Sequence, residues 1–280
     1  AAGLTKSRYR HDFFVINYEG TRHFVNALRK SGAVPRQFIY LSSLSIYGAI
    51  REQAVPPHKA DNRYGLHGES GELTEVVYEP IRESDVPQPN TAYGMSKAAA
   101  ENFLRSLDGF PWVIFRPTGV YGPRERDYFL MAESIKKHVD FAAGMKRQEI
   151  TFVYVKDLVD AIFAAIERGI TQRAYLISDG LTYKSKTFSL LLQNAIGVKR
   201  VLHITAPLWL LRVVCAAAQL KSRFTGGIPT LNLDKYRIMK QRNWQCDISA
   251  AVSELGYRPR YNLLRGVGET VAWYIKEQWI

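Results

Sequence analysis

The chain has 280 residues, 46% hydrophobic and 23% charged, a globular composition with enough length for one large core or two smaller ones. No apolar run reaches the ~18–20 residues of a membrane-spanning helix, the opening AAGLTKSRYRHD lacks a signal-peptide core, and Cys215 and Cys246 form neither a CxxC nor a zinc pattern. A reducing cytoplasm is the simplest setting, with both thiols as packing residues. The net charge of +12 favours anionic partners, but it is scattered and no nucleic-acid-binding motif accompanies it. Its densest cluster, KYRIMKQR at 235–242, reads as a solvated helix face or as an anion or membrane contact.

Residues 12–32, DFFVINYEGTRHFVNALRKSG, carry apolar residues at helical spacing, with Gly32 as the stop. QFIYLSS, at 37–43, reads as a buried strand. Residues 50–90 hold five prolines and little periodicity, which predicts a long surface excursion with a short hairpin around GELTEVVYEP. The excursion is either a lid over a substrate pocket or a surface decoration. His58 and His67 lie within it without a carboxylate constellation, so no metal site is expected. A helix starts near Ala92. FPWVIFRP, TFVYV and AYLIS read as further strands, and Asp157 as the cap of the helix DLVDAIFAAIERG, stopped by Gly169.

This alternation predicts an α/β fold, a parallel sheet covered on both faces. After residue 180 the stretches KTFSLLLQNAIG, PLWLLRVVCAAAQL, DISAAVSELG and GVGETVAWYIKEQW predict a smaller, mainly helical region. The division expected is 1–180, interrupted by the excursion, and 181–280. The segment at 204–224, ITAPLWLLRVVCAAAQLKSRF, reads either as a wall of the substrate pocket or as an amphipathic helix resting on an anionic membrane.

TAYGMSKAAAEN, at 91–102, sets a tyrosine four residues before a lysine at a helix start, which puts both side chains on one face. A cationic lysine and a helix N-terminus both favour a phenolate, so Lys97 is expected to lower the Tyr93 pKa toward a working acid–base range. The spacing alone is weak: with 16 tyrosines about one chance match is expected, and Tyr236 with Lys240 also fits. Tyr93 follows the turn-forming PQPNT, whereas Tyr236 sits in the basic run.

Six ordered stretches give Tyr93 its context: NYEGT at 17–21, FIYLSSLSIYG at 38–48, YGMSK at 93–97, FRPTGVYGP at 115–123, FVYVKDLVDAI at 152–162 and GVGETVAWY at 266–274. Together they resemble the motifs of the extended short-chain dehydrogenase/reductases, the NAD-dependent epimerase/dehydratase group. The resemblance implies a Rossmann-like doubly wound sheet, NAD or NADP as cofactor and a small-molecule substrate. It implies catalytic roles for Ser43, Tyr93 and Lys97. Asn17 either supports that site or is bonded locally within its helix. It places Ala2, Gly3, Leu41, Ser42, Pro117, Thr118 and Val120, with Tyr93 and Lys97, beside the cofactor. Ser43, Leu44, Ser45, Tyr93, Gly119 and Tyr128 would face the substrate. Many members pair through the helices of NYEGT and YGMSK, so a homodimer is expected. The family's glycine-rich first turn has no counterpart in these 280 residues, so roughly 70 upstream residues are expected to belong to the dinucleotide-binding half. The chain by itself is expected to bind NAD weakly or not at all.

Leu44 and Ser45 stand where sugar-nucleotide dehydratases of this family carry an acidic pair, which argues against dehydration. Ile150 stands where nucleotide-sugar epimerases often carry an arginine, although Arg124 or Arg147 offers a substitute. The leucine after the serine pair, LNLDK, NWQCD and ETVAWY look more like the branch near 3β-hydroxysteroid dehydrogenases and dihydroflavonol reductases. The favoured reading is interconversion of a secondary alcohol and a ketone on a moderately apolar substrate. The alternatives are a nucleotide-sugar epimerase and, from another class, a catalytically silent cofactor-binding scaffold.

Overall fold

The computed structural model describes residues 3–53, 78–225, 227 and 231–280. Ala2, His58, His67 and most of the hairpin expected around GELTEVVYEP lie outside the described residues. In chain order the elements are α1 (Arg10–Phe13), a π-helical turn (Phe14–Glu19), α2 (Gly20–Lys30), β1 (Phe38–Leu41), a 3-10 turn (Leu44–Ile46), α3 (Ala92–Arg105), β2 (Trp112–Pro117) and β3 (Gly119–Tyr121). Then follow α4 (Arg126–Lys136), β4 (Val139–Ala143), β5 (Glu149–Ile150), β6 (Phe152–Tyr154), α5 (Val155–Glu167), β7 (Arg173–Ile177), β8 (Tyr183–Lys184) and α6 (Thr187–Ile196). The chain ends with β9 (Leu202–Ala206), α7 (Leu208–Thr225), α8 (Leu233–Lys240), β10 (Asn243–Trp244), α9 (Ser249–Leu255) and α10 (Leu263–Lys276).

The central sheet is parallel, in the order β1-β2-β7, with Phe38 opposite Trp112 and Val113 opposite Arg173. Strand side chains alternate between faces. Trp112 and Ile114 therefore join Tyr40 in a core with Val25, Ala100 and Leu104, under α2 and α3. Val113 and Phe115 join Tyr175 and Ile177 in a second core with Ala161, Ala165 and Leu255, under α5 and α9. Burial on both faces explains the apolar run Trp112–Phe115 of β2.

Two expectations are corrected. TFVYV is not a strand of this sheet; β6 pairs with β3 in a separate parallel pair, Val120 opposite Val153. Its aromatic side chains draw it there: Phe152 packs against Tyr121, Tyr128 and Phe188, and Tyr154 against Tyr121 and Tyr261. Asp157 does not cap α5, which starts after Tyr154. It is buried instead and accepts from the backbone N–H groups of Arg260 and Tyr261 at 3.1 and 3.0 Å, tying α5 to the C-terminal segment. The region past residue 180 is mainly helical, as expected, and its β9 runs parallel to β4 from Val139 opposite Leu202. Ile248, Ala251, Leu255 and Tyr257 return to the core of the central sheet. Both cysteines are buried, unpaired thiols.

Candidate active site

The site begins where β1 ends. Ser42 continues the ladder through its N–H to the Phe115 carbonyl at 2.7 Å. Ser43 then caps the 3-10 turn, its hydroxyl accepting from Ser45 N–H at 3.1 Å. Forty-eight residues later Thr91 caps α3 by accepting from Gly94 N–H at 3.0 Å. The stem of the excursion closes that gap. Arg51 donates to both Asp85 carboxylate oxygens at 2.6 and 2.7 Å. Gly48 has φ +61°, and a Cβ there would lie 2.1 Å from the Gln88 carbonyl oxygen. The wide Ser43–Tyr93 spacing therefore leaves the two side chains neighbours in space.

Gly94 sets how closely they meet. A Cβ at this position would lie 2.4 Å from the Ser45 carbonyl oxygen, a backbone atom. Gly94→Ala is therefore expected to push α3 off the Ser43–Ser45 turn, at a cost of about 1–3 kcal/mol. The helix-propensity gain opposing it is at most ~1 kcal/mol, and smaller in a first turn. Urea denaturation measures the difference; an unchanged midpoint would show that the close approach carries no weight.

Tyr93 is the second residue of α3. Burial pushes the Tyr93 pKa up, and the nearby Ser43 hydroxyl pulls it down. The lowering expected from Lys97 is not what the geometry supplies. The Lys97 ammonium turns beneath β1, donates to the Leu41 carbonyl at 2.7 Å, and lies 4.8 Å from the Tyr40 ring centroid against 5.9 Å from that of Tyr93. Burial brings the Lys97 pKa down to about 8, opposed by the carboxylate of Glu101 one helical turn away. Glu101 is in turn held by both arms of the buried Arg116 guanidinium.

Asn17 lies in the π-helical turn, whose wider winding interrupts the helix read from the sequence. Its carboxamide is buried; it accepts from Leu4 N–H at 2.8 Å, donates to Leu4 O at 3.0 Å and reaches Ser96 Oγ at 3.0 Å. Asn17 is thus bonded to a distant segment and to α3 rather than only within its own helix. The contact also fixes Gly3, where a Cβ would sit 3.5 Å from both Asn17 Oδ1 and Lys97 Nζ.

The remaining candidates divide. Leu41 bonds Lys97, and Ser42 is buried beside it, its hydroxyl without a partner among the described residues. Pro117 pairs with Ile177 at the end of β2. Thr118 is tied to the structure by its hydroxyl to Thr151 O at 2.7 Å and its N–H to Ile177 O at 3.1 Å. Leu44, expected to face the substrate, is packed into the core of the central sheet, because the 3-10 turn directs it there with Ile46. Ser45 receives a hydrogen bond from Ser43 Oγ at 3.1 Å. Gly119 and Tyr128 do come together, the phenol oxygen filling the space a Gly119 Cβ would take, but within the aromatic core around Phe152 and Phe188.

One residue escaped the sequence reading. Asp234, in the basic run, accepts from Ala92 N–H at 2.8 Å and so caps the helix that carries Tyr93. The helix α8 buries none of its residues and leaves Arg237 and Lys240 exposed, and Asp234 ties its start to α3. Its only advance signal was an acid among cations. Beside it lies a cavity of about 100 Å³, lined by Arg8, Arg10, Phe13, Gln219, Asp234 and Arg237 among others. The Phe13 ring meets Tyr93 edge-on at 6.3 Å.

Relatives fall into several activities. The chain is 27% identical over 175 residues to dTDP-D-glucose 4,6-dehydratase of Mus musculus, covering 59% of this chain and 41% of that protein. It is 24% identical over 277 residues to the decarboxylating sterol-4-alpha-carboxylate 3-dehydrogenase of Saccharomyces cerevisiae, covering 92% and 71%. Among solved structures, UDP-glucuronic acid 4-epimerase from Bacillus cereus, in complex with NAD, superposes with a TM-score of 0.69 at 19% identity, over all of this chain and 74% of that one. These relatives do not single out the sterol branch. The chain thus spans well under two thirds of one curated relative and more of others. A sequence model described as the NAD dependent epimerase/dehydratase family matches residues 2–178, more than half of the chain, and the protein belongs to that family.

Proposed function

We propose that the protein is an NAD(P)-dependent oxidoreductase that interconverts a secondary alcohol and a ketone. The observation that carries this reading is the Tyr93 phenol beside the Ser43 hydroxyl, with Lys97 buried behind it on the same helix face. In reduction, Tyr93 gives its proton to the carbonyl oxygen as the C–H bond forms at the carbon, and Ser43 donates to the same oxygen. In oxidation the proton returns from the hydroxyl to Tyr93. Burial keeps Tyr93 protonated at neutral pH, the form that serves reduction. Bound NAD(P) supplies the hydride acceptor or donor.

The residues at the end of β1 fit the nicotinamide–ribose end of such a cofactor. Ser42 has a buried hydroxyl to offer, and an ammonium has three donors, of which Leu41 O takes one from Lys97. Asn17, through Leu4, holds Gly3 against Lys97. The homodimer expected from the resemblance would use the helix face on which Val15, Ile16 and Phe24 are exposed.

A second reading, epimerisation of a phosphate-bearing sugar, is favoured by the three arginines around the cavity near Tyr93. It uses the same Tyr93 chemistry twice, on opposite faces of a transient ketone, and differs in the anion that Arg8, Arg10 and Arg237 would meet. A sterol-like substrate is favoured by the yeast relative's name alone.

The test is a titration of this chain with NADH and NADPH, following energy transfer from its five tryptophans. Weak, saturable binding is expected, lost in Lys97→Met. Lys97 is charged below pH about 8 and neutral above it, so binding is expected to weaken as pH rises through that value. No saturable transfer to a folded chain, or equal binding by Lys97→Met, would remove the support for this reading.

A further inference from the structure

Helix α7 is built inside out. It buries a single stripe, Leu211, Cys215 and Ser222, while Trp209, Val213, Leu220 and Phe224 are exposed. At 3.6 residues per turn the exposed four form one apolar stripe directly opposite the buried one. Phe224 is 83% exposed and Trp209 69%, so among the described residues nothing closes this face. It continues onto the β4–β9 pair, which leads into α7 through Pro207 and leaves Phe141 and Leu202 exposed. Scattered exposed apolar residues are ordinary, but a run of this length along one helix and the adjoining strands marks a contact surface.

Charge identifies the occupant. From residue 180 to 233 the sequence has seven Lys or Arg and no Asp or Glu, over half of the chain's excess of +12. Helical spacing sets Arg212 on one side of the apolar stripe and Lys221 on the other, and both are exposed. Asp140, the acid of β4, is buried and bonded to His203 at 3.0 Å, so it does not offset these cations. Long cationic side chains beside an apolar stripe bury their stems and keep their heads at an anionic interface. A second copy of the chain would bring the same cations together, which costs rather than stabilises. No described helix is long and apolar enough to cross a membrane, so the contact would lie in the plane of the surface.

We propose that the α7 face, with β4 and β9, docks on an anionic lipid surface. Gln219 of the same helix lines the cavity near Tyr93, so docking brings that cavity alongside the lipid. The proposal stands apart from the catalytic reading, because vesicle binding needs neither cofactor nor substrate.

Cosedimentation of the whole chain with vesicles tests it. Vesicles of equal parts phosphatidylglycerol and phosphatidylcholine are expected to carry the chain down at low salt, and phosphatidylcholine alone to do so far less. The double variant Trp209→Ser/Phe224→Ser is expected to lower the partition by at least roughly tenfold, and Arg212→Gln by roughly fivefold. These side chains are exposed, so the fold persists, and circular dichroism checks it. Absence of binding by the folded chain would overturn the proposal, as would undiminished binding by the double variant. A dimer in solution that dissociates on Trp209→Ser/Phe224→Ser, with no vesicle binding, would assign the face to a second copy instead.

Discussion

Tyr93→Phe is expected to lower the rate of NAD(P)H-linked ketone reduction by roughly 10²–10⁴-fold, the usual worth of a positioned proton donor. The substitution removes only the phenol oxygen. The ring, its edge-on contact with Phe13 and the first turn of α3 remain, so stability and cofactor binding should change little. That separation makes the result informative. A rate loss without a change in the NADH titration places Tyr93 in the chemical step. Parallel losses in both would make it a binding residue, and an unchanged rate would point to the scaffold alternative. Ser43→Ala provides an internal comparison. It takes away the hydroxyl that pulls the Tyr93 pKa down while leaving the phenol proton in place, and a smaller loss is expected than for Tyr93→Phe.

The largest effect on stability is expected at Arg116. Its guanidinium meets Glu101 at 2.5 and 3.1 Å and Tyr47 OH at 2.5 Å, and only 4% and 2% of the two charged side chains is exposed. Arg116→Met takes from the buried Glu101 carboxylate its close cation and leaves Arg105 at 4.0 Å, so a cost of up to about 3–5 kcal/mol is expected, the usual range for breaking a buried pair. Removing both charges, in Arg116→Met with Glu101→Leu, leaves no uncompensated ion and should cost less than the single change. Urea denaturation of the two variants distinguishes these outcomes. A double variant worse than Arg116→Met would show that packing with Tyr47, not charge balance, dominates. Because Glu101 also raises the Lys97 pKa, its loss should shift the pH at which cofactor binding weakens downward.

Much of the site was legible because its parts are local. A helix start with Thr91 and Tyr93, a strand ending at Ser43, and the four-residue step to Lys97 are set by spacing and by which residues cap and alternate. The strands FIYL and WVIFRP were legible for the same reason, since both faces of the sheet are covered and every position is apolar or tightly paired. TFVYV was equally apolar, and nothing in its own residues separates a strand of the central sheet from one drawn away by Phe188 and Tyr261. Asp157 resembles any helix-capping acid until Arg260 and Tyr261, about a hundred residues later, are seen to donate to it. The π-helical turn at Asn17 is likewise a response to what its side chain must reach, Leu4 and Ser96.

By itself the sequence determined the family and the parallel α/β plan, and it named Ser43, Tyr93 and Lys97 as the candidates, because these rest on short-range periodicity and on ordered motifs. Only the tertiary structure decided which way those side chains act. Burial, not Lys97, dominates the Tyr93 pKa, and the Lys97 ammonium is directed to Leu41 O. Asp234 caps the helix that carries Tyr93 from 142 residues away. The cost of desolvation and the partners that offset it depend on what the rest of the chain packs around a group, which spacing along the sequence does not encode.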